Sequence, residues 1–442
     1  MARCAPADSP VGPLAVRRFD RREFQRLLLG GGLGAFLAGC GGDAGDYTAE
    51  DAEQLARQMR EEAERTGRGR FGVLRFRGYR GLAELPWFEL SPEGRLRTAV
   101  ELPGIIDVHT HLGMSLYAPL DQTRRSERVR HLLDCDATDP GCELDLDVYV
   151  NANFSEAAHA ALSREFVAGA VGLGEATRTH TAANLLAEMD DVGVARAAVL
   201  PIELALPFAG SLAERWSQAI REGGWGERLL PFASVHPGDG DAAAKLRALA
   251  AAGARGVKLH PELQRFFPDA PEAMALYGTC QELGLPVIFH AGRSGIEPER
   301  IRKFALLRRY EPAVAAFPGV RFVFGHGGAR DLEAAIPIAR AHRNVWLDLS
   351  SLGVSQIDRA LGALGPERLV FGSDWPFYHL ATTLAKVLIV TGGEVAARDA
   401  ILRGNAEALL APPAASSARK VGGAPLCGLA RAQRDGGSGG TG

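Results

Sequence analysis

Two imidazoles two residues apart, in Asp107-Val108-His109-Thr110-His111, are the groups in this chain best spaced to hold a metal ion. On an extended strand, residues i and i+2 leave the same face, so both rings can reach one ion. His290 closes the run Val287-Ile288-Phe289-His290, and Asp374 lies in Phe371-Gly372-Ser373-Asp374-Trp375-Pro376. Three imidazoles and one carboxylate suit zinc or another divalent ion of borderline softness. Such an ion polarises a carbonyl and brings the pKa of bound water to about 7, which makes hydrolysis feasible at neutral pH. Lys258 and His260, in Gly256-Val257-Lys258-Leu259-His260-Pro261, share a strand face, so either can enter the site as a metal or substrate ligand. Arg293 suits a clamp on a substrate carboxylate, with a surface role an equal alternative. His236 also falls near a strand end.

These residues work together only if a fold brings them to one place. Eight short apolar runs alternate with Ala-rich helical stretches: Gly104–His111, Ala197–Glu203, Leu229–Pro237, Gly256–Pro261, Pro286–Gly292, Arg321–Gly328, Val345–Ser351 and Leu369–Pro376. That alternation marks βα units, and eight of them close an α/β fold of the (β/α)8 TIM-barrel type. Barrel enzymes keep their chemistry at the C-terminal ends of the strands, where His109/His111, Lys258/His260, His290, His326 and Asp374 all fall. Helices are expected over Pro271–Gly284, Pro298–Phe317 and Arg330–His342. An open doubly wound sheet would require a glycine-rich phosphate loop after an early strand, and none is present.

The connection after the first strand, 112–182, is long enough to overhang the mouth as a lid or specificity insert. It predicts helices near Gln122–Asp134 and Ser155–Val171. Between them Cys135 and Cys142 flank a turn and are either bonded, in an oxidising compartment, or two free thiols. Asp134, Asp136, Asp139, Glu143, Asp145 and Asp147 read as a solvated acidic loop, since EF-hand spacing is absent. The domain plan is a leader (1–40), a tether, charged helix and small β extension (41–103), the barrel (104–411) and a disordered tail (412–442). In the extension, Thr48-Ala49-Glu50-Asp51 reads as a capping box opening a surface helix to about Thr66. Trp87 to Arg97 reads as a hairpin turning at Ser91-Pro92-Glu93-Gly94.

Of 442 residues, 46% are hydrophobic and 23% charged, which suits a globular protein with a sizeable core. The formal net charge of −3 offers no basic field for nucleic acid. At the N-terminus, Arg21-Arg22-Glu23-Phe24 precedes an apolar stretch, Leu27–Gly39, that is too short to span a bilayer. It resembles a Tat signal, and Leu37-Ala38-Gly39-Cys40 looks like a lipobox with Cys40 as the lipidated residue. The expectation is export to the periplasmic or extracellular face, with membrane attachment through the N-terminal lipid.

The motifs Asp107-x-His109-x-His111, Gly256-Val257-Lys258-Leu259-His260-Pro261, His290-Ala291-Gly292, Gly325-His326-Gly327-Gly328, Gly372-Ser373-Asp374-Trp375-Pro376 and Gly404-Asn405-Ala406 resemble the amidohydrolase superfamily, in its amidohydrolase-related branch. The resemblance covers about 104–410. It implies that His109, His111, His290 and Asp374 ligate one or two ions, with Asp374 as the catalytic base. It makes His326 a transition-state stabiliser or proton shuttle. In binuclear relatives a carboxylated lysine bridges the ions; Lys258 lies two residues deeper than His260, so either fills that place. The implied activity is hydrolysis of an amide, lactone or ester in a small-molecule substrate. The alternatives are nonoxidative decarboxylation by the same family, and a non-catalytic metal-binding lipoprotein.

Overall fold

The computed structural model describes residues 46–136, 142–206 and 209–411. Eight barrel strands follow in chain order: β1 (Ile105–Thr110), β2 (Val194–Val199), β3 (Leu229–Pro231), β4 (Val257–Leu259), β5 (Val287–His290), β6 (Phe322–Gly325), β7 (Val345–Asp348) and β8 (Leu369–Val370). The ladders β1–β2–β3 and β4–β5–β6–β7–β8 are parallel throughout. Parallel bridges Ala233↔Val257 and Thr110↔Trp375 join the two sets and close the ring. The protein is a (β/α)8 barrel, and every strand falls on one of the eight apolar runs. The second begins earlier than expected, at Val194, directly after Gly193 ends the preceding helix with φ 79°.

Parallel strands are buried on both faces, which is why these runs are almost continuously apolar. Val287, Phe289, Phe322, Phe324 and Leu347 pack against helix residues such as Leu276, Leu332 and Ile357. Ile288, on the opposite face, joins Val323, Val370 and Phe232 in a smaller cluster. His290 shares the face of Ile288, one layer nearer the mouth.

The expected hairpin forms, with Phe88–Leu90 antiparallel to Leu96–Thr98. The capping box also forms: Thr48 N–H donates to Asp51 Oδ2 (2.9 Å) and Asp51 N–H to Thr48 Oγ1 (3.2 Å). Its helix, Ala49–Arg65, is not a surface appendage, however. Glu62 is buried, accepting from Arg330 Nη1 at 2.6 Å and Tyr149 N–H at 3.0 Å, while Arg308 holds Asp51 at 2.6 Å. Paired charges rather than an apolar stripe dock this helix, so hydrophobic periodicity misses it.

Within the insert, helix Glu156–Ala170 forms with Ser155 as its cap. The helix expected over 122–134 does not. Its backbone donors are drawn to distant partners instead: Ser126 N–H to Asn184 Oδ1 (2.9 Å), Arg130 N–H to Thr179 Oγ1 (3.0 Å) and Leu132 N–H to the Pro376 carbonyl (2.9 Å). Tertiary bonds override a modest helix propensity. Cys135 and Cys142 are bonded, with Cα atoms 5.5 Å apart. The long helix expected over 298–317 is broken into Glu299–Arg302, two 3₁₀ turns and Glu311–Ala316. Pro312 lacks an N–H and fits only the first turn of the last piece. Among the described residues, no helix is long and apolar enough to cross a membrane. The leader with Cys40, most of the tether, Asp139 and the C-terminal tail lie outside the described residues.

Candidate metal centre

β1 delivers both imidazoles in a defined tautomer. His109 Nδ1 donates to Asp348 Oδ2 at 2.5 Å, and His111 Nδ1 donates to the Leu200 carbonyl at 2.6 Å. Carbonyls and carboxylates only accept, so each Nδ1 carries a proton, which leaves Nε2 as the ring nitrogen available to a cation. Burial, reinforced by the Lys258 charge, holds His109 well below the usual imidazole range and therefore neutral. β8 lies beside β1, so Asp374 arrives next to these atoms, its Oδ1 3.7 Å from His109 Nε2 and 3.5 Å from His111 Nε2. The three ligand atoms lie within 4.8 Å of one another, as one cation requires. Two imidazole Nε2 atoms and a carboxylate turned on each other are a donor set suited to an electrophile, and Lys258 Nζ, 2.9 Å from His109 Nε2, is the cationic group beside it. Burial also raises the pKa of Asp374.

His290 is held slightly apart. Its Nδ1 lies 3.0 Å from His326 Nε2, its Nε2 3.3 Å from Glu262 Oε2, and its ring stacks on His260 at 4.0 Å. His260, Glu262 and His290 thus form another group of ligand atoms within 4.8 Å. His326 joins the two groups, its ring 4.8 Å from that of His109 and 4.7 Å from that of His290. Lys258 reaches the site despite its depth: it is fully buried, with Nζ 2.9 Å from His109 Nε2. Burial lowers its pKa to about 8.

Arg293 does not face the mouth. It is buried, its Nε donating to Asp331 Oδ2 (2.8 Å), its Nη2 to Asp331 and Gln54, and its Nη1 to the Asp51 carbonyl. All three guanidinium nitrogens are engaged under the N-terminal helix, which corrects the substrate-clamp expectation. His236 is likewise occupied locally, with Nε2 2.7 Å from the Gln264 carbonyl.

Asp348, at the end of β7, is the organising residue that motif reading misses. Besides His109, its carboxylate accepts from His326 N–H (3.1 Å), Ser350 Oγ–H (2.7 Å) and Ser350 N–H (2.9 Å). Its position at a strand end, like that of the other site residues, was the available signal. Glu262 was missed as well; it is 2% exposed and its Oε1 lacks a partner. Asp107 accepts from the His109 and Ser373 N–H groups, and burial carries its pKa up to about 8.

The backbone is shaped for this centre. His326 and Asp374 occupy the left-handed region, with φ 57° and 64°, an arrangement that surrounding structure must hold in place. A Cβ on Gly372 would sit 2.1 Å from Asp348 Oδ1 and 2.8 Å from His109 Cβ, so only glycine fits between these two side chains. The insert reaches the mouth: Phe166 lies 5.8 Å from Phe377, whose ring is 6.4 Å from that of His111.

A closed (β/α)8 barrel with histidines and aspartates at its strand ends is the architecture of a metal-dependent barrel enzyme. Residues 106–411 match the profile of the amidohydrolase family, a family of metal-dependent enzymes, and the chain belongs to it. No curated protein matches the chain. Among solved structures it is similar to an uncharacterised TIM-barrel protein of Bordetella bronchiseptica, at 20% identity and TM-score 0.46, over 53% of this chain and 84% of that one. It is also similar to 5-carboxyvanillate decarboxylase of Sphingomonas paucimobilis, at 16% identity and TM-score 0.43, over 56% and 90% of the two chains. A third is a probable 2-pyrone-4,6-dicarboxylic acid hydrolase of Acinetobacter baumannii, at 16% identity and TM-score 0.41, over 70% and 99%.

Proposed function

We propose that the protein is a hydrolase that holds a divalent cation, most naturally zinc, on His109, His111 and Asp374, with His290 completing the set. It cleaves an amide, lactone or ester of a small molecule. The observation that carries this reading is the pair of Nδ1 tethers, to Asp348 and to the Leu200 carbonyl, which turn both Nε2 atoms toward Asp374. When bound, the ion polarises the scissile carbonyl and brings the pKa of water to about 7. Asp374 takes the water proton on its carboxylate and returns it to the leaving group. His326 steers protons through its contact with His290 and is oriented by Ser350 Oγ, 2.9 Å from its Nδ1. Lys258 and His260 complete the floor beneath the substrate.

The second reading, nonoxidative decarboxylation, is favoured by one feature. The buried Lys258 amine lies beside His109, where it can pair with a substrate carboxylate. Incubation of the zinc- or manganese-loaded enzyme with small esters, lactones, amides and carboxylic acids in ¹⁸O-labelled water separates the two. The hydrolase incorporates label, and its turnover falls by ~100-fold or more in Asp374→Asn. Carbon dioxide release without label selects the lyase, and unchanged turnover in the variant contradicts the role given to Asp374.

We further propose that the chain is exported and lipid-anchored at Cys40. The Cys135–Cys142 bond supports this reading, because such bonds persist in oxidising compartments.

A further inference from the structure

We infer that the rim of the barrel mouth docks on a lipid surface, with the insert's exposed apolar residues entering the interfacial layer. Tyr117, Phe166, Val167 and Leu173 are 41%, 37%, 42% and 58% exposed, and all four belong to the insert. Their backbone segments are neighbours in space. The Leu116 and Tyr117 N–H groups both donate to the Ala170 carbonyl (2.9 and 3.1 Å), laying this segment along the end of the helix that bears Phe166 and Val167. Leu173 follows one turn later, its N–H on the Ala168 carbonyl at 2.8 Å. Through Phe166 and Phe377 the patch borders the mouth itself.

Two further observations select a membrane as the occupant. The first is charge: Arg164 and Arg178 are exposed, with Arg178 Nε donating to the Gly172 carbonyl at 3.2 Å next to Leu173, whereas the neighbouring acids are engaged, Glu165 by Thr177 N–H at 2.9 Å and the exposed Glu175 by Arg130 at 2.7 Å. Apolar side chains fringed by guanidinium groups suit the boundary between acyl chains and anionic headgroups. The second is the tether. Asp46 pairs with Arg309 at 2.9 Å, and Arg309 with Asp269 at 3.1 Å, in the segments that follow β5 and β4 on the same mouth-side rim. Five residues separate Cys40 from Asp46, so even a fully extended chain reaches only ~20 Å. A lipid on Cys40 therefore ties the molecule down by the rim that bears the patch. This orientation rests on the anchor reading, whereas the patch does not.

The test uses the full chain with vesicles of phosphatidylethanolamine and phosphatidylglycerol carrying brominated acyl chains, which quench nearby tryptophan. Leu173→Trp is compared with Val395→Trp, which lies past the far end of the helix that leaves the mouth after β8, and the parent signal is subtracted. We expect quenching at 173 at least ~2-fold greater than at 395. In the Cys40→Ser background, adding Phe166→Ser and Val167→Ser should reduce the quenching at 173. Equal quenching at the two sites in a chain that floats with the vesicles overturns the docking. So does self-association of the Cys40→Ser chain without quenching, which would make the patch a protein interface. The mass at Cys40 is read separately: quenching at 173 in a chain without lipid sustains the docking and removes only the anchor.

Discussion

Replacing Asp348 with Asn tests whether the metal centre is organised from beneath. The carboxylate accepts four hydrogen bonds, from His109 Nδ1, His326 N–H, Ser350 Oγ and Ser350 N–H. An amide keeps the shape but replaces one acceptor oxygen with a donor NH₂. In one orientation the NH₂ meets the Ser350 N–H; in the other it meets three donors, His109 among them. The first, less harmful, orientation sets two buried donors, the Ser350 N–H and the new NH₂, against each other, at a cost of about 1–3 kcal/mol or more. It also removes the negative charge that fixes and strengthens His109 as a ligand, a change that typically costs ~10–100-fold in metal affinity. Zinc or manganese affinity, measured by competition with a chromophoric chelator, should weaken within that range in Asp348→Asn. The metal-free Tm should fall as well. Affinity and Tm both equal to those of the parent would refute the argument that the Asp348 charge and its hydrogen bonds organise the centre.

Other consequences follow from the packing and from the buried charges. Gly372→Ala inserts a Cβ 2.1 Å from Asp348 Oδ1, so it should destabilise by about 1–3 kcal/mol in chemical unfolding and lower metal affinity in parallel; a variant equal to the parent in both would show that the two side chains yield freely. Behind the site, His131 Nε2 lies 3.1 Å from Glu188 Oε2. Burial pushes His131 down, but the charges of Glu188 and Asp134 outweigh it and carry its pKa from 6.5 to about 9. Burial pushes Glu188 up, but the His379 and His131 charges outweigh it and bring its pKa from 4.5 to about 2. The contribution of His131 is complete below pH 6.5 and is lost as pH rises toward 9; that of Glu188 is complete above pH 4.5 and is lost as pH falls toward 2. Tm should therefore be highest between those two limits, with both limbs flattened in Glu188→Gln; a parent and variant with parallel pH profiles would contradict the pairing.

Much of the barrel was legible because its strands are largely buried on both faces and so leave nearly continuous apolar runs. The candidate ligands stood out in the sequence for a related reason. His109, His111, His290 and Asp374 are polar groups that end such runs, where an apolar sequence has no other use for them. What could not be read depended on partners far along the chain. Gln122–Asp134 has acceptable helix formers, yet its N–H groups go to Asn184, Thr179 and Pro376. Helix Ala49–Arg65 is docked by Glu62 and Asp51, charges that a periodicity argument assigns to solvent. Arg293 follows a ligand candidate in sequence, but Asp331 claims it from the next βα connection. Asp348 was readable by position and was passed over because it holds a ligand in place rather than acting as one.

We propose that His109, His111 and Asp374 converge on a cation. The most direct test is the elemental metal content per chain after loading with zinc or manganese and removal of excess, compared between the parent and His109→Ala/Asp374→Ala, with circular dichroism confirming that both are folded. The parent should hold at least one ion tightly, and the variant should lose it. A folded parent that retains no metal after loading, or a variant that retains as much as the parent, would contradict the proposal.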